Sequence, residues 1–401
     1  MSLSPALRLI ALVATFAGLV IRALPLIVNP DRLLTTCDGR AYYTLAVSWA
    51  QGRGLFIDDA TTVQACLGVV AIGPSHHFAP ALAIIEGTFM SFMGATTSTV
   101  VIPLLLLSVG AVAVAWWTTR DLFGRDAGLM VGAAVSLEWT GVFFGTWHGY
   151  SENLVIIAFT LTMWAIVKAL RDDRFLLLAG LFAGVGYLSK ASIGWFFIFA
   201  GLGGLAWRVV YRGARVLLNP WYLGAILIFA IPVLVWSLRN LSLFWDGSLP
   251  GILDAWQTSE VQARYTATAF QHPDQLLLGM AGKLPILIGG LLLPFLPLLG
   301  GFRESVRRWM DEDVSGLWLS VALVFVLGWF FAGAFWVSEQ TSLLWGDPIR
   351  YMAPAQVPLL WLLLRSRGRA STLGWALSYA ILLVMALRMY LLLSPGEVFG
   401  P

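Results

Sequence analysis

The feature that most constrains this chain is the recurrence of apolar runs about as long as a bilayer is thick. Eleven can be read along it: Leu7–Val28, Ser98–Thr118, Ala127–Thr146, Asn153–Leu170, Phe175–Leu188, Ile193–Val210, Trp221–Trp236, Leu276–Leu299, Gly316–Val337, Met352–Leu364 and Leu373–Leu393. A helix needs ~20 apolar residues to cross a hydrocarbon core ~30 Å thick. With 59 % hydrophobic and 12 % charged residues, too little polar surface remains to coat a water-facing shell. The backbone must satisfy its own hydrogen bonds in lipid, so the runs should be helices. The expected fold class is an all-α polytopic membrane protein, one transmembrane domain over residues 1–401 with about eleven transmembrane helices. The shorter runs, Phe175–Leu188 and Met352–Leu364, call for tilt, a kink or shielding by neighbours. The first run is too long for a cleaved signal and has no clean small-residue cleavage site, so it reads as a retained span.

Basic residues set the orientation. Alternate connections hold Arg120 and Arg125; Lys168, Arg171 and Arg174; Arg208, Arg212 and Arg215; Arg303, Arg307 and Arg308; Arg365, Arg367 and Arg369. With Arg8 these make 15 of the 25 Lys and Arg residues, which places the N-terminus in the cytoplasm. The outer face then carries residues 29–97, a turn at His148–Glu152, a turn at Ser189–Lys190, the loop Arg239–Asp274 and the segment Ser338–Tyr351. Nineteen tryptophans suit interfacial belts. No basic, aromatic-laced patch gathers, so nucleic acid is not an expected partner. No internal repeat stands out, which weakens an inverted-repeat transporter.

One outer stretch, Cys37–Glu86, departs from the apolar pattern. Tyr42, Leu45, Ala46 and Trp49 share one helical face, and the run is too short to span, so a helix lying at the interface is expected. Asp38 stands ahead of it, where an N-cap would sit. A second apolar helix, Pro80–Phe92, lies at the interface or dips into the bilayer. Cys37 and Cys66 are the only two cysteines, and both fall on this loop in the oxidising compartment. A disulfide between them is the favoured reading over two free thiols, and would contribute ~3–4 kcal/mol by loop closure.

These residues, and others downstream, resemble the GT-C glycosyltransferases, and among them the protein O-mannosyltransferases and aminoarabinose transferases. The resemblance starts with Asp38-x-x-x-Tyr42 directly after the first span. It continues through Asp121-Leu122-Phe123-Gly124-Arg125, Ser151-Glu152-Asn153-Leu154 and the Gly-rich run Gly184–Lys190. Leu238-Arg239-Asn240 and Arg350-Tyr351-Met352-Ala353-Pro354 complete it, so that about residues 1–360 are covered. The resemblance implies an inverting enzyme that takes a sugar from a polyprenyl-phosphate-linked donor to a lipid, glycan or protein acceptor at the outer face. The donor's tail would stay among the membrane lipids while phosphate and sugar sit at the interface. No cofactor is then required.

Roles follow from that likeness, each beside a plainer one. Asp38 is the expected general base, with helix capping as the competing role. Relatives carry a second acid after this aspartate, where this chain has Gly39. Glu152 would assist Asp38 or hold hydroxyls; alternatively it complements a helix dipole. Arg350, Lys190 and Arg239 are basic residues at outer ends of spans, against the positive-inside trend. They are expected on the donor phosphate, in that order, with snorkelling as the alternative. His76, His77, Tyr42 and Tyr351 are candidate substrate contacts. A divalent metal at the two histidines with Asp58 and Asp59 is the weaker reading, since adjacent side chains rarely ligate one ion. Glu138, inside a span, reads as structural, partnered by Arg22 or Lys190. The loop 239–274 is long enough to act as a lid. The competing function is a lipid or solute transporter, with Glu138, Arg22 and Lys190 lining its path.

Overall fold

A computed structural model describes residues 3–66, 72–76, 78–245, 247–248, 251–252, 267–298, 303, 306–308, 312–339, 350, 354–365 and 372–392. The chain divides into two compact units, residues 1–157 with 379–401, and residues 158–378.

The first unit begins with helix α1, Pro5–Val28, capped by Ser4, whose hydroxyl accepts from the Leu7 N–H; the chain turns away at Asn29-Pro30. A short 3-10 turn, Pro30–Thr35, leads into α2, Cys37–Ala50. Two-residue strands β1 (Phe56–Ile57) and β2 (Gly73–Pro74) pair antiparallel, and α3, Ala60–Ala65, lies between them in sequence. Asp59 caps α3, and its bonds from Thr61 and Thr62 hold its carboxyl below the usual range. Helix α4, Pro80–Met93, starts with a proline that needs no N–H partner and stops at Gly94, whose φ is +95°. Helix α5, Thr97–Phe123, is the long span that follows. The loop helices expected from periodicity and from Pro80 thus form at α2 and α4; the strands and α3 were not foreseen. They are held by the Cys37–Cys66 disulfide, with the Cα atoms 4.7 Å apart.

Packing of α2 and α4 encloses an apolar cluster of Tyr42, Leu45, Ala46, Phe78, Leu82, Ala83 and Met90, closed by Val100 and Leu104 of α5 and Leu26 of α1. Burying side chains of this size contributes ~1.5–3 kcal/mol each relative to exposure in water. This cluster gives the loop a core of its own.

The run Ala127–Thr146 is not one straight span. Helix α6, Arg125–Ser136, stops at Leu137; α7, Trp139–Val142, restarts and passes into a π-turn, Phe143–Trp147, bent by 54° from α6. The cause is Glu138, whose carboxylate accepts from the Thr140 and Gly141 N–H groups at 2.7 Å each and so caps α7. Helix α8, Glu152–Lys168, follows a turn at His148–Ser151 and continues into the second unit.

In the second unit, α9, Phe175–Ser189, packs on α11, Pro220–Ser242, while α10, Ala191–Arg212, packs on α9 and on Glu312–Glu339. Pro273–Leu292 also lies on Glu312–Glu339. Among the described residues, four helices are long and apolar enough to cross a membrane: α1, α5, α11 and Ser315–Ala334. The bent α6–α7 pair makes a fifth if it is one span. The chain is a multi-pass membrane protein, and the expected number of about eleven spans is not reached on that measure.

Candidate active site

The first unit carries Asp38. The helix cap belongs to Thr36, whose hydroxyl accepts from the Gly39 N–H at 3.2 Å, so the competing capping role falls to Thr36 and not to Asp38. Asp38 instead occupies the first turn of α2, half-buried. Anchored beside it, Cys37 ties this turn to Cys66.

Gly39 decides how closely the start of α2 can seat. A Cβ here would collide with the carbonyl oxygens of Leu33 and His148, so only glycine lets the start of α2 seat against both. An acidic side chain at this position therefore has no room in this chain. The same contact brings His148, at the start of the turn that leads to Glu152, up to the start of α2.

That turn is aromatic and buried. The His148 ring meets Phe143 edge-on at 4.5 Å, and Phe144 stacks on Tyr150 at 5.6 Å. The Arg32 guanidinium lies over the Trp147 ring at 5.1 Å. Burial, assisted by the Arg32 charge, pushes the His148 imidazole down to about 3, so it is neutral at ordinary pH. Glu152 is 1 % exposed and is the first residue of α8, where a negative charge suits the helix dipole. Arg32 and His148 were missed in the sequence. Arg32 sat in an unremarkable polar stretch, and His148 lacked any metal-ligand spacing.

The other candidates are placed as follows. Tyr42 is buried in the loop core, its ring edge-on to Phe78 at 5.2 Å. His76 is half-buried, two residues after β2. His77 and Tyr351 lie outside the described residues, as do residues 246, 249–250 and 253–266 of the loop 239–274. No group of three His, Cys, Asp or Glu side chains is arranged for a metal ion among the described residues.

The basic candidates belong to the second unit. Lys190 is the extended residue between α9 and α10 and is half-buried. Its Gly-rich approach has a packing reason, because a Cβ at Gly184 would stand 2.7 Å from the Pro232 ring of α11. Arg239 stacks on Trp236 at 4.9 Å and donates to the Asn240 side-chain oxygen at 2.8 Å. Asn240 is itself 1 % exposed. Arg350 is buried, just before the helix Gln356–Arg365.

Glu138 and Arg22 are both spent on the helix break, with the Arg22 Nη2 donating to the Val135 carbonyl at 2.6 Å. This arrangement suits a structural role and gives no support to a transport path.

Residues 77–236 match the family model described as dolichyl-phosphate-mannose-protein mannosyltransferase. Among solved structures, the chain is similar to ArnT from Cupriavidus metallidurans bound to undecaprenyl phosphate, at 17 % identity and TM-score 0.58, over 97 % of this chain and 64 % of that one. The apo state of that protein gives 17 %, 0.56, 99 % and 65 % for the same measures. The apo oligosaccharyltransferase from Archaeoglobus fulgidus gives 12 %, 0.51, 96 % and 55 %. This chain therefore spans less than two thirds of the length of each. No curated protein matches it in sequence. The likeness is one of fold, and it is the GT-C glycosyltransferase fold that the sequence motifs resemble.

Proposed function

We propose that this GT-C-like chain is an inverting glycosyltransferase acting on a polyprenyl-phosphate-linked sugar at the outer face of the membrane. The observation that supports the reading is the close approach of Gly39, the neighbour of Asp38 in sequence, to the carbonyl of His148, four residues before Glu152. Two acids from separate elements, at the end of apolar helices, suit a donor whose lipid tail stays in the bilayer.

In this reading Asp38 accepts the proton of an acceptor hydroxyl as its oxygen attacks the anomeric carbon. The C–O bond to phosphate breaks on the opposite side, inverting the centre, and polyprenyl phosphate leaves with the bond's electron pair. Glu152 orients sugar or acceptor hydroxyls. Arg350, Lys190 and Arg239, in that order, are the groups proposed for the phosphate, where a guanidinium fork stabilises the charge gathering on the leaving group. His76 and His77 are proposed acceptor or phosphate contacts. The acceptor is a lipid, glycan or protein hydroxyl, and the reaction as written needs no metal or cofactor. ArnT was solved with undecaprenyl phosphate, and that lipid is the donor carrier proposed here.

The test is turnover of radiolabelled polyprenyl-phosphate sugars by purified protein, read as transfer or as hydrolysis of the sugar. Asp38→Asn keeps size and polarity, and Thr36 keeps the cap, so folding should be retained while the rate falls by at least ~100-fold. Full turnover in Asp38→Asn would remove it as the base. No turnover of any such donor by the wild-type chain would remove the reading.

A further inference from the structure

Beneath the candidate site, a dense polar cluster joins α1, α5, the α6–α7 break and the first turn of α8. Arg22, 1 % exposed, is at its centre. Its Nε donates to the Ser136 carbonyl at 2.8 Å, and its Nη2 donates to the Val135 and Glu138 carbonyls at 2.6 and 3.5 Å. Its Nη1 donates to the Ser108 hydroxyl at 2.9 Å and to the Asn153 Oδ1 at 3.1 Å. Asn153 passes the network on, its Nδ2 donating to the Thr146 hydroxyl at 2.9 Å and the Gly141 carbonyl at 3.2 Å.

The contact between α8 and the π-turn is too close for side chains. A Cβ at Gly145 would stand 2.8 Å from Asn153 Nδ2, and one at Gly141 2.9 Å from its Oδ1. Asn153 directly follows Glu152, and the π-turn runs into His148, whose carbonyl meets Gly39 beside Asp38. One amide thus fixes the start of α8 against the turn that abuts Asp38.

We propose that Arg22 and Asn153 are positioning residues, holding Glu152 in register with Asp38 through the buried break between α6 and α7. The proposal rests on the reading of those two acids as walls of a transfer site. Keeping a charged side chain, a helix break and a π-turn inside an apolar bundle is costly. Such irregularities persist where they aim something. An asparagine suits the post because it accepts from Arg22 and donates to the π-turn at once.

The experiment uses the full chain in detergent, with Cys37 and Cys66 bonded so that an introduced cysteine is the sole free thiol. Maleimide labelling is followed in E152C, alone and combined with Asn153→Ala or Arg22→Lys, well below the unfolding temperature. A111C, at a buried position of α5 that is 1 % exposed, reports global loosening in the same backgrounds. The expected result is at least tenfold faster labelling of E152C in the network variants, with A111C unchanged. Where Glu152 is native, Asn153→Ala should lower kcat on a radiolabelled polyprenyl-phosphate sugar by ~10- to 100-fold with KM within about twofold. Asn153→Asp, which keeps the acceptor for Arg22, should recover part of that loss. Unchanged E152C labelling, or equal acceleration in A111C, overturns the proposal, as does a loss of folded protein with kcat per folded molecule intact. Should Asn153→Ala not fold, Asn153→Asp and Arg22→Lys carry the same labelling test. A wild-type chain that turns over no donor defeats the functional reading alone, and the thiol labelling still decides whether the network holds position 152.

Discussion

At the scale of single residues, two titratable groups are buried on opposite sides of neutrality, and each leaves a mark on stability. Glu86 lies on the face of α4 that also carries Leu82, Ala83 and Met90, is 1 % exposed, and neither carboxyl oxygen has a hydrogen-bond partner among the described residues. Burial pushes its carboxyl well above the ordinary value of about 4.5, so the folded loop holds it protonated. Its contribution is therefore complete below about pH 4.5 and lost as pH rises towards the raised value, at ~1.4 kcal/mol per pH unit. His148 has the reverse sign. Its neutral ring is the buried form, so its contribution is present above about 6.5 and lost as pH falls towards about 3. Thermal unfolding in detergent from pH 4 to 9 should show Glu86→Gln more stable than wild type at pH 8 and equal near pH 4. His148→Gln should flatten the acid side alone. Parallel curves for Glu86→Gln and wild type would show that the carboxyl is ionised in the fold. Neither effect was legible beforehand. A glutamate in the apolar run Ala83–Phe89 reads the same whether it faces lipid, water or a core, and only packing against α2 decides.

Elements were more readable than their joints. The interfacial pattern Tyr42–Trp49 and the proline at 80 predict α2 and α4 because periodicity and proline act within one turn of chain. The break in Ala127–Thr146 was missed because an apolar count cannot see a glutamate turning back to cap its own helix. The capping role weighed against catalysis for Asp38 belongs to Thr36, two residues earlier. Gly39 is the joint with the clearest consequence. Gly39→Ala must push the start of α2 off the Leu33 and His148 carbonyls, and overpacking of this kind costs ~1–3 kcal/mol. It should also lower turnover of a polyprenyl-phosphate sugar at least tenfold by shifting Asp38. Gly204→Ala is the contrast, since a Cβ there inside α10 meets nothing within 4 Å among the described residues, and the gain in helix propensity of ~0.5–1 kcal/mol should leave it neutral or stabilising. Equal unfolding temperatures and rates for the two variants would show that the close approach at Gly39 has no energetic weight.

For the whole molecule, the fold class was readable because lipid forces the backbone into helices, and the apolar runs report that directly. The order of motifs along about 360 residues led to the GT-C resemblance, and the fold agrees with it over 96–99 % of the chain at identities of 12–17 %. What composition could not supply is which helices end short or bend, because that depends on caps and partners distant in sequence. The side of the membrane rests on a separate argument, the concentration of Lys and Arg in alternate short connections. The Cys37–Cys66 disulfide lies in the segment that this argument assigns to the outer face. Two exposed positions test this. Gln51 follows α2 in that segment, and Ala214 follows α10 in a connection assigned to the cytoplasm with Arg212 and Arg215. In intact cells a membrane-impermeant maleimide should label Gln51→Cys and reach Ala214→Cys only after permeabilisation. The reverse pattern would invert the chain and place Asp38 and the Glu152 turn in the cytoplasm, where an outer-face transfer reaction cannot occur.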